Sequence, residues 1–523
     1  MNISKRSFLK GSAALAISGI LGAGTSAFAD DAAQGQEEKA SLLGSVEETW
    51  DADYVVVGSG ICGLSSAVDA AERGLNVVLL EKNGFLGGTS TVAEMCFGVF
   101  TDMQKEAGFT EELGSVASIM KTTQDYHHYK TNALLTRKFY EESADNIAWL
   151  KKQGVNFALV MGIGNSYKTA HVYEGLGAAT IKTLGARAEE LGVQICTNAP
   201  GKELVVEDGK VTGVLADVDG KIVRINAKGV LLATGGYSDN AEMMKKYAHV
   251  DASITKNAGI AGRDGDGIAM ALNIGASEWK SMGAVMFFGA ILKNDRFGTH
   301  LYSATSSPGF RFNERGVRYA DEVIDQINFS HCGNIMAQQK ASWGLYSKAT
   351  LDDFVENGTI FGGGMYTPAG APLTELYSQI EADMASDDPQ VFYCETLDDV
   401  AATAGVDADV LKAAVERYDG YCKTGVDEEF LKAPEYLIPV GEGPYYLFNQ
   451  SLGYFTTSDG LYVNEFNQVL TADGEVIEGL FAGGSDAGGL QGDTYDVGIC
   501  PGSQQGWGLQ SGRVAAKYVA EHM

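Results

Sequence analysis

Residues 51–82 read DADYVVVGSGICGLSSAVDAAERGLNVVLLEK. Tyr54–Val57 is a short, largely β-branched run of the kind that a fully buried parallel strand requires. Gly58, Gly60 and Gly63 follow in G-x-G-x-x-G spacing, LSSAVDAAERG reads as a helix capped by Gly74, and NVVLLE reads as a second strand. Glu81 closes that strand 18 residues after Gly63, near where an acidic side chain meets a ribose hydroxyl. A glycine fingerprint alone is a weak signal. Set between a strand and a helix, with the acid at the end of the next strand, it predicts a dinucleotide site. Small residues let the backbone approach a pyrophosphate, and the helix start supplies N–H donors and the positive end of a dipole.

Two later stretches read as further strands of one sheet. GVLLATGGYSDN (229–240) and GLFAGGSDAGG (479–489) are each an apolar run that breaks into Gly-Gly, and QQGWGLQSGRVAAKYVA (504–520) reads as a closing helix. A cofactor domain built from both ends of the chain implies an inserted middle. The expected fold class is α/β, a Rossmann-like domain with an inserted α+β capping domain. The expected segments are a signal at 1–29, a flexible acidic lead-in at 30–50, the cofactor domain at 51–280 and 455–523, and the cap at 281–454.

The start of the chain carries its own message. SKRSFLK (4–10) precedes the apolar run GSAALAISGILGAGTSAFA (11–29), which is short, broken by glycine and ends in a cleavage-like Ala-Phe-Ala. This predicts export, by a twin-arginine-like route with Lys5 where the first arginine would stand, and an extracytoplasmic location. Cleavage after Ala29 removes three basic residues and no acid, moving the net charge from −29 to −32. Such a surface argues against nucleic acid or anionic lipid as a partner and suits a basic electron-transfer protein. The seven cysteines include no Cys-x-x-Cys pair, so neither attached haem nor a metal ligand set is assigned. No later run is long enough to span a bilayer.

Four landmarks in order, VVVGSGICGLSSAVDAAERGLNVVLLEKNGFLGGTS (55–90), LLATGGYSDN (231–240), AGRDGDGIAMALNIGA (261–276) and GLFAGGSDAGG with a later SGRVAA, resemble one family. It is that of the FAD-binding subunits of fumarate reductase, succinate dehydrogenase and 3-ketosteroid dehydrogenase, and the likeness runs from about Asp51 to about Ala520. The resemblance implies FAD held extended along the sheet. Gly58, Gly60 and Gly63 would line the pyrophosphate, and Glu81 and Lys82 the adenosine ribose. Gly87, Gly88, Thr89 and Ser90 would sit beside phosphates and flavin, with Thr234, Gly235, Gly236 and Asp266 near the dinucleotide. Ser485 stands where the family commonly has Glu, and Asp486 is the candidate to take over its contact to the ribityl chain.

The same resemblance marks four departures at the substrate. Where fumarate-reducing members place an arginine proton donor this chain has Gln326, and Met286 and Tyr495 replace two carboxylate-binding residues. Ser451–Tyr454 contains no histidine where another is expected. A dianion needs bidentate cationic partners, so fumarate is not the expected substrate. Tyr495, followed by Gly498, resembles the ketosteroid-dehydrogenase tyrosine that hydrogen-bonds a carbonyl, and a phenol suits a developing oxyanion in a dry site. Proton-donor candidates are Tyr319, Arg318, Arg311 and His171, with Tyr126, His127 and His128 ranked below them.

The expected activity is hydride transfer from flavin N5 to an activated C=C of an enone-like or enoate-like small molecule. A separate cytochrome or quinol-linked flavoprotein would supply the electrons. The rivals are a ketosteroid-type 1,2-dehydrogenase working in the oxidative direction, a flavin electron-transfer protein, and an apo-like sensor.

Overall fold

A computed structural model describes residues 41–163 and 167–523. The expected export signal lies outside the described residues. Four strands of the expected sheet are present, with Tyr54–Val57, Val77–Leu80, Gly229–Leu232 and Val476–Ala482 joined by Gln194–Cys196 and an edge strand, Gln468–Leu470. The order is 468–470, 476–482, 229–232, 54–57, 77–80, 194–196, and every pairing is parallel except the one at the 468–470 edge. Tyr54–Val57, Val77–Leu80 and Gly229–Leu232 are buried at every position, which is why they read as continuous apolar runs.

The fingerprint helix spans Ile61–Glu72, with Gly74 just past its end at φ +87°. It begins three residues before the sequence suggests, so Gly63 lies inside its first turn. A Cβ there would stand 1.9 Å from the Gly58 carbonyl oxygen, which only glycine avoids. The closing helix, Ser503–His522, packs along Ile61–Glu72. At Gly512 a Cβ would come within 2.2 Å of the Cys62 carbonyl oxygen, so the two backbones are in near contact. The two ends of the chain thus complete one layer.

The acidic lead-in is ordered earlier than its composition suggests. Glu48–Asp51 pairs in parallel with Lys221–Asn226, at the edge of a sheet continued by Lys210–Val218 and Gly201–Glu207. Trp50, half-buried against the core, explains why the polar run stops there.

A third sheet forms around the long strand Tyr445–Thr457, which pairs with Thr255–Asn257, Val285–Leu292, Ser342–Ser347 and Val391–Cys394. It draws on Thr255–Asn257, outside the expected 281–454 insert, and its central strand continues three residues past 454. A small sheet of Met95–Phe97, Phe157–Met161 and Ala170–Tyr173 stands beside the first domain's helices. Among the described residues all seven cysteines are free, and no helix is long and apolar enough to cross a membrane.

Candidate active site

The parallel strands end at an open cleft of about 980 Å³. Its wall includes Gly58 and Gly60, Glu81 and Lys82, the Gly87–Ser90 turn, Thr234 and Gly235, Asp266 and Ser485. The turns are held from behind. Glu81 accepts the Ser59 N–H at 3.1 Å and the Asn83 N–H at 2.8 Å, and the Ser90 hydroxyl accepts the Ile61 N–H at 3.0 Å. Lys82 is paired with Asp266 at 2.8 Å and Asp264 at 2.9 Å.

Three of the expected cofactor residues stand behind this wall. Gly63 serves the close helix approach described above. Gly236 serves another, since a Cβ there would meet the Thr457 hydroxyl at 2.2 Å. Asp486 differs more. It is fully buried, and its carboxylate accepts the Thr234 N–H and hydroxyl and, at 2.8 Å, the Gly236 N–H. Its charge is spent on bracing the Thr234–Gly236 turn, and Ser485 faces the cleft instead.

The cleft fits an extended dinucleotide with a polar ring system. It combines glycine-lined turns, the start of a 12-residue helix, a carboxylate at the second strand and a buried polar atom without a partner, Gln504 Oε1. Gln504 donates its amide hydrogen to Ser485 at 2.8 Å, which leaves that carbonyl to be satisfied by a bound group.

A second cavity, of about 730 Å³, adjoins the first and shares Thr89, Thr456, Gln504 and Gln505 with it. Its walls are mainly apolar, with Phe297, Phe329, Phe455, Met95, Met286 and Val497. Phe455 lies 5.2 Å from Phe297, ring centre to ring centre, in an edge-to-face pair. Among the described residues no Lys, Arg or His lines this cavity. Tyr495 does, 1% exposed, on a segment that runs into the start of the Ser503–His522 helix. Burial raises its hydroxyl to about 12, against Ser503 and the N–H groups of Gln504 and Gly502, which hold it down.

The expected proton donors stand elsewhere. His171 is fully buried in its strand, 2.7 Å from the Thr101 hydroxyl and 3.2 Å from the Thr169 carbonyl, and burial lowers it to about 4. Arg311 is paired with Asp325 at 2.6 Å. Arg318 donates two bonds to Glu322 and two to Asp427, all within 3.0 Å, and Lys432 joins Glu322 at 2.7 Å. The Tyr319 hydroxyl meets Ser342 at 2.7 Å. None of the four lines either cavity; the polar groups of Arg311, Arg318 and Tyr319 are consumed inside the cap and those of His171 within the small sheet and its flanking turn. Gln326 is likewise occupied, donating to the Ser306 carbonyl at 2.8 Å.

Of the 126–128 group, Tyr126 approaches the site from behind, by hydrogen-bonding the backbone of Tyr495. His127 accepts the Gly492 N–H at 3.2 Å, burial lowering it to about 4, and His128 pairs with Asp493.

The structure also brings in residues that motif reading passed over. Arg263, inside AGRDGDG, lines the cofactor cleft and is fixed by Asp239 at 3.1 Å and Thr89 at 3.1 Å. Glu94 lines the apolar cavity, and a carboxylate inside the apolar run VAEMCFGVF was its visible signal.

Comparison with known proteins agrees with this geometry. The family model described as FAD binding domain matches residues 53–498. The chain is 34% identical over 481 residues to a vinyl phenol reductase of Lactiplantibacillus plantarum, covering 90% of this chain and 96% of that one. It is 29% identical to a urocanate reductase of Eggerthella lenta, covering 86% and 72%. Its fold matches a 3-ketosteroid Δ1-dehydrogenase from Sterolibacterium denitrificans with a TM-score of 0.74 at 19% identity, covering 90% of this chain and all of that one. With the cleft, the helix start and the matched span in agreement, the chain belongs to the FAD binding domain family, as an FAD-dependent oxidoreductase akin to reductases of carbon–carbon double bonds.

Proposed function

We propose that this enzyme reduces the C=C bond of a neutral, conjugated small molecule whose oxygen sits remote from the reacting carbons, such as an enone or a hydroxyaryl alkene. The observation that carries the reading is the adjoining cavity, apolar and aromatic, with no cationic side chain lining it among the described residues. A dicarboxylate would have to shed its hydration there without compensation. The similarity to a vinyl phenol reductase supports the same class.

Reduced FAD supplies hydride. Gly58, Gly60, Glu81 and the Gly87–Ser90 turn would hold the cofactor, with Thr234, Gly235, Asp266 and Ser485 along its length. The residues facing the substrate do the rest. Phe297, Phe329 and Phe455 exclude water and offer ring faces and edges to a flat substrate. Tyr495 donates its hydroxyl hydrogen to the substrate oxygen on which charge accumulates. The electrons come from a separate redox partner, a cytochrome or quinol-linked flavoprotein, drawn by the acidic surface. The amino-terminal signal would place the enzyme outside the cytoplasm, and the 281–454 segment would cap the flavin. Ser485 and Tyr495 are the residues we assign to the flavin and substrate sides of the shared wall.

The test is made anaerobically on holoenzyme whose flavin has been reduced with dithionite. 4-Vinylphenol, a cyclic enone, urocanate and fumarate are added separately while flavin absorbance is followed. Reoxidation by the neutral alkenes and not by fumarate is the expected result, and reoxidation by fumarate overturns the reading.

A further inference from the structure

Reduction of a C=C bond needs a proton as well as a hydride, and Tyr319, Arg318, Arg311 and His171 are all engaged away from the apolar cavity. Among the described residues, one ionisable carboxyl lines the apolar cavity. Glu94 immediately precedes the buried strand Met95–Phe97, and its backbone carbonyl accepts the Tyr173 N–H at 3.0 Å, which fixes where its side chain begins. Its Oε1 accepts the Met365 N–H at 3.3 Å from the glycine-rich segment 358–370. Its neighbours on the cavity wall are Val92, Ala93, Met95, Phe297 and Met286.

We propose that Glu94 is the acid that protonates the substrate carbon, an inference that rests on the alkene-reductase reading above. The balance is simple. The C=C π bond breaks, one carbon takes the hydride, and the other takes the Glu94 carboxyl proton as its O–H bond breaks. Glu94 is left as a carboxylate. It is partly exposed, so solvent returns the proton before the next turnover.

The surroundings suit an acid better than a charge-bearing anchor. Burial raises the carboxyl above the ordinary glutamate range, with only the Met365 N–H opposing it. The titratable groups facing it are the phenols of Tyr302 and Tyr366, with Tyr495 on the same cavity, and burial raises all three. They stay neutral at physiological pH. A carboxyl brought toward neutrality gives up its proton far more readily than those phenols, and an acid matched to the working pH is the more effective catalyst. Tyr495 keeps the separate task of bonding the substrate oxygen.

The experiment uses reduced holoenzyme of wild type, Glu94→Gln and Glu94→Asp, each checked for bound FAD, with 4-vinylphenol as the oxidant. Loss of roughly 100-fold or more in flavin reoxidation rate is expected for Glu94→Gln, with partial recovery in Glu94→Asp. The wild-type rate should fall as pH rises through the Glu94 pKa, and that dependence should vanish in Glu94→Gln. A second readout needs no turnover. Infrared spectra of oxidised wild-type holoenzyme should contain a protonated-carboxyl band, absent from Glu94→Gln, that titrates with the midpoint of the rate profile.

A Glu94→Gln rate within about threefold of wild type overturns the proposal, as does an infrared midpoint that differs from the kinetic one. If Glu94→Gln does not fold, Glu94→Asp takes its place: the infrared band and the kinetic midpoint should shift together in that variant, and a band that stays put while the rate profile moves overturns the proposal. A wild-type enzyme that no alkene reoxidises overturns the proposed function itself, and differs visibly because wild type and variants are then equally silent.

Discussion

The Tyr126 hydroxyl donates to the backbone carbonyl of Tyr495 at 3.1 Å and accepts the Asn328 amide at 2.9 Å. One side chain therefore ties the loop carrying a cavity-lining phenol to the start of the helix Phe329–Met336. Tyr126→Phe should remove both bonds without changing the cavity wall. We expect a stability loss of about 1 kcal/mol and a larger fall in kcat than rise in KM for the alkene, because Tyr495 loses its backing. Thermal unfolding and steady-state kinetics check both. An unchanged kcat would mean that the loop holds Tyr495 unaided.

Arg318 behaves as part of the cap's interior. It and Lys432 share Glu322 in a fully buried cluster that also takes in Asp427. Arg318→Met should destabilise the protein by roughly 3–5 kcal/mol, since carboxylates are left without their cation. Among molecules that fold and hold FAD, the single-turnover rate should stay within about threefold of wild type, far from the loss expected on removing a general acid. A collapse of that rate in a stable, flavin-loaded variant would return Arg318 to the chemistry.

Gly512 is the point of closest approach between the two helices that close the cofactor domain. Gly512→Ala gains helix propensity of about 1 kcal/mol but drives a methyl into the Cys62 carbonyl, and overpacking of this kind costs about 1–3 kcal/mol. We expect a lower melting temperature and faster loss of FAD on dilution. Equal flavin retention by variant and wild type would show that the interface yields without disturbing the cleft.

Asp459 provides a pH signature. It accepts the N–H groups of Gly283 and Ala284 and the Tyr237 hydroxyl, and burial pushes its carboxyl up to about 7 despite those bonds. A carboxyl raised in the folded state contributes stability below its unfolded value near 3.8 and loses it as pH rises through about 7. Asp427 has the opposite sign. Burial pushes it up, but Arg318 and backbone N–H groups bring it down to about 2, so its contribution is present above 3.8 and lost as pH falls toward 2. Melting temperatures of Asp459→Asn relative to wild type should therefore improve between pH 5 and pH 8. A pH-independent difference would remove Asp459 from the titration.

The cleft-lining turns were legible because glycine spacing is dictated by local backbone geometry, and Gly58, Gly60, Glu81 and the Gly87–Ser90 turn all lie on the cleft wall. Asp486 misled because sequence order says nothing of which way a turn residue faces. The proton donors were harder for the same reason in three dimensions. Arg318, Arg311 and His171 look chemical in isolation; the i,i+4 spacing of Arg318 and Glu322 already offers a pair, but Asp427, Asp325 and Thr101 become visible as partners only in the tertiary packing. Glu94 carries no motif. Its meaning comes from Phe297 and Met286, far along the sequence, lining the same cavity.

The central sheet imposes a timetable on synthesis. Gly229–Leu232 has Tyr54–Val57 on one side from early on, but its other neighbour is Val476–Ala482, and the helix that roofs the fingerprint, Ser503–His522, comes later still. Until those residues emerge, the growing chain carries a bare apolar strand edge of the kind that invites mispairing. The binding cleft is complete only once Val476–Ala482 and the Ser503–His522 helix have joined the fold. FAD can be fully enclosed only after those residues have joined the fold, so scarcity of the cofactor would be felt as a failure of quality control before it was felt as a loss of catalysis.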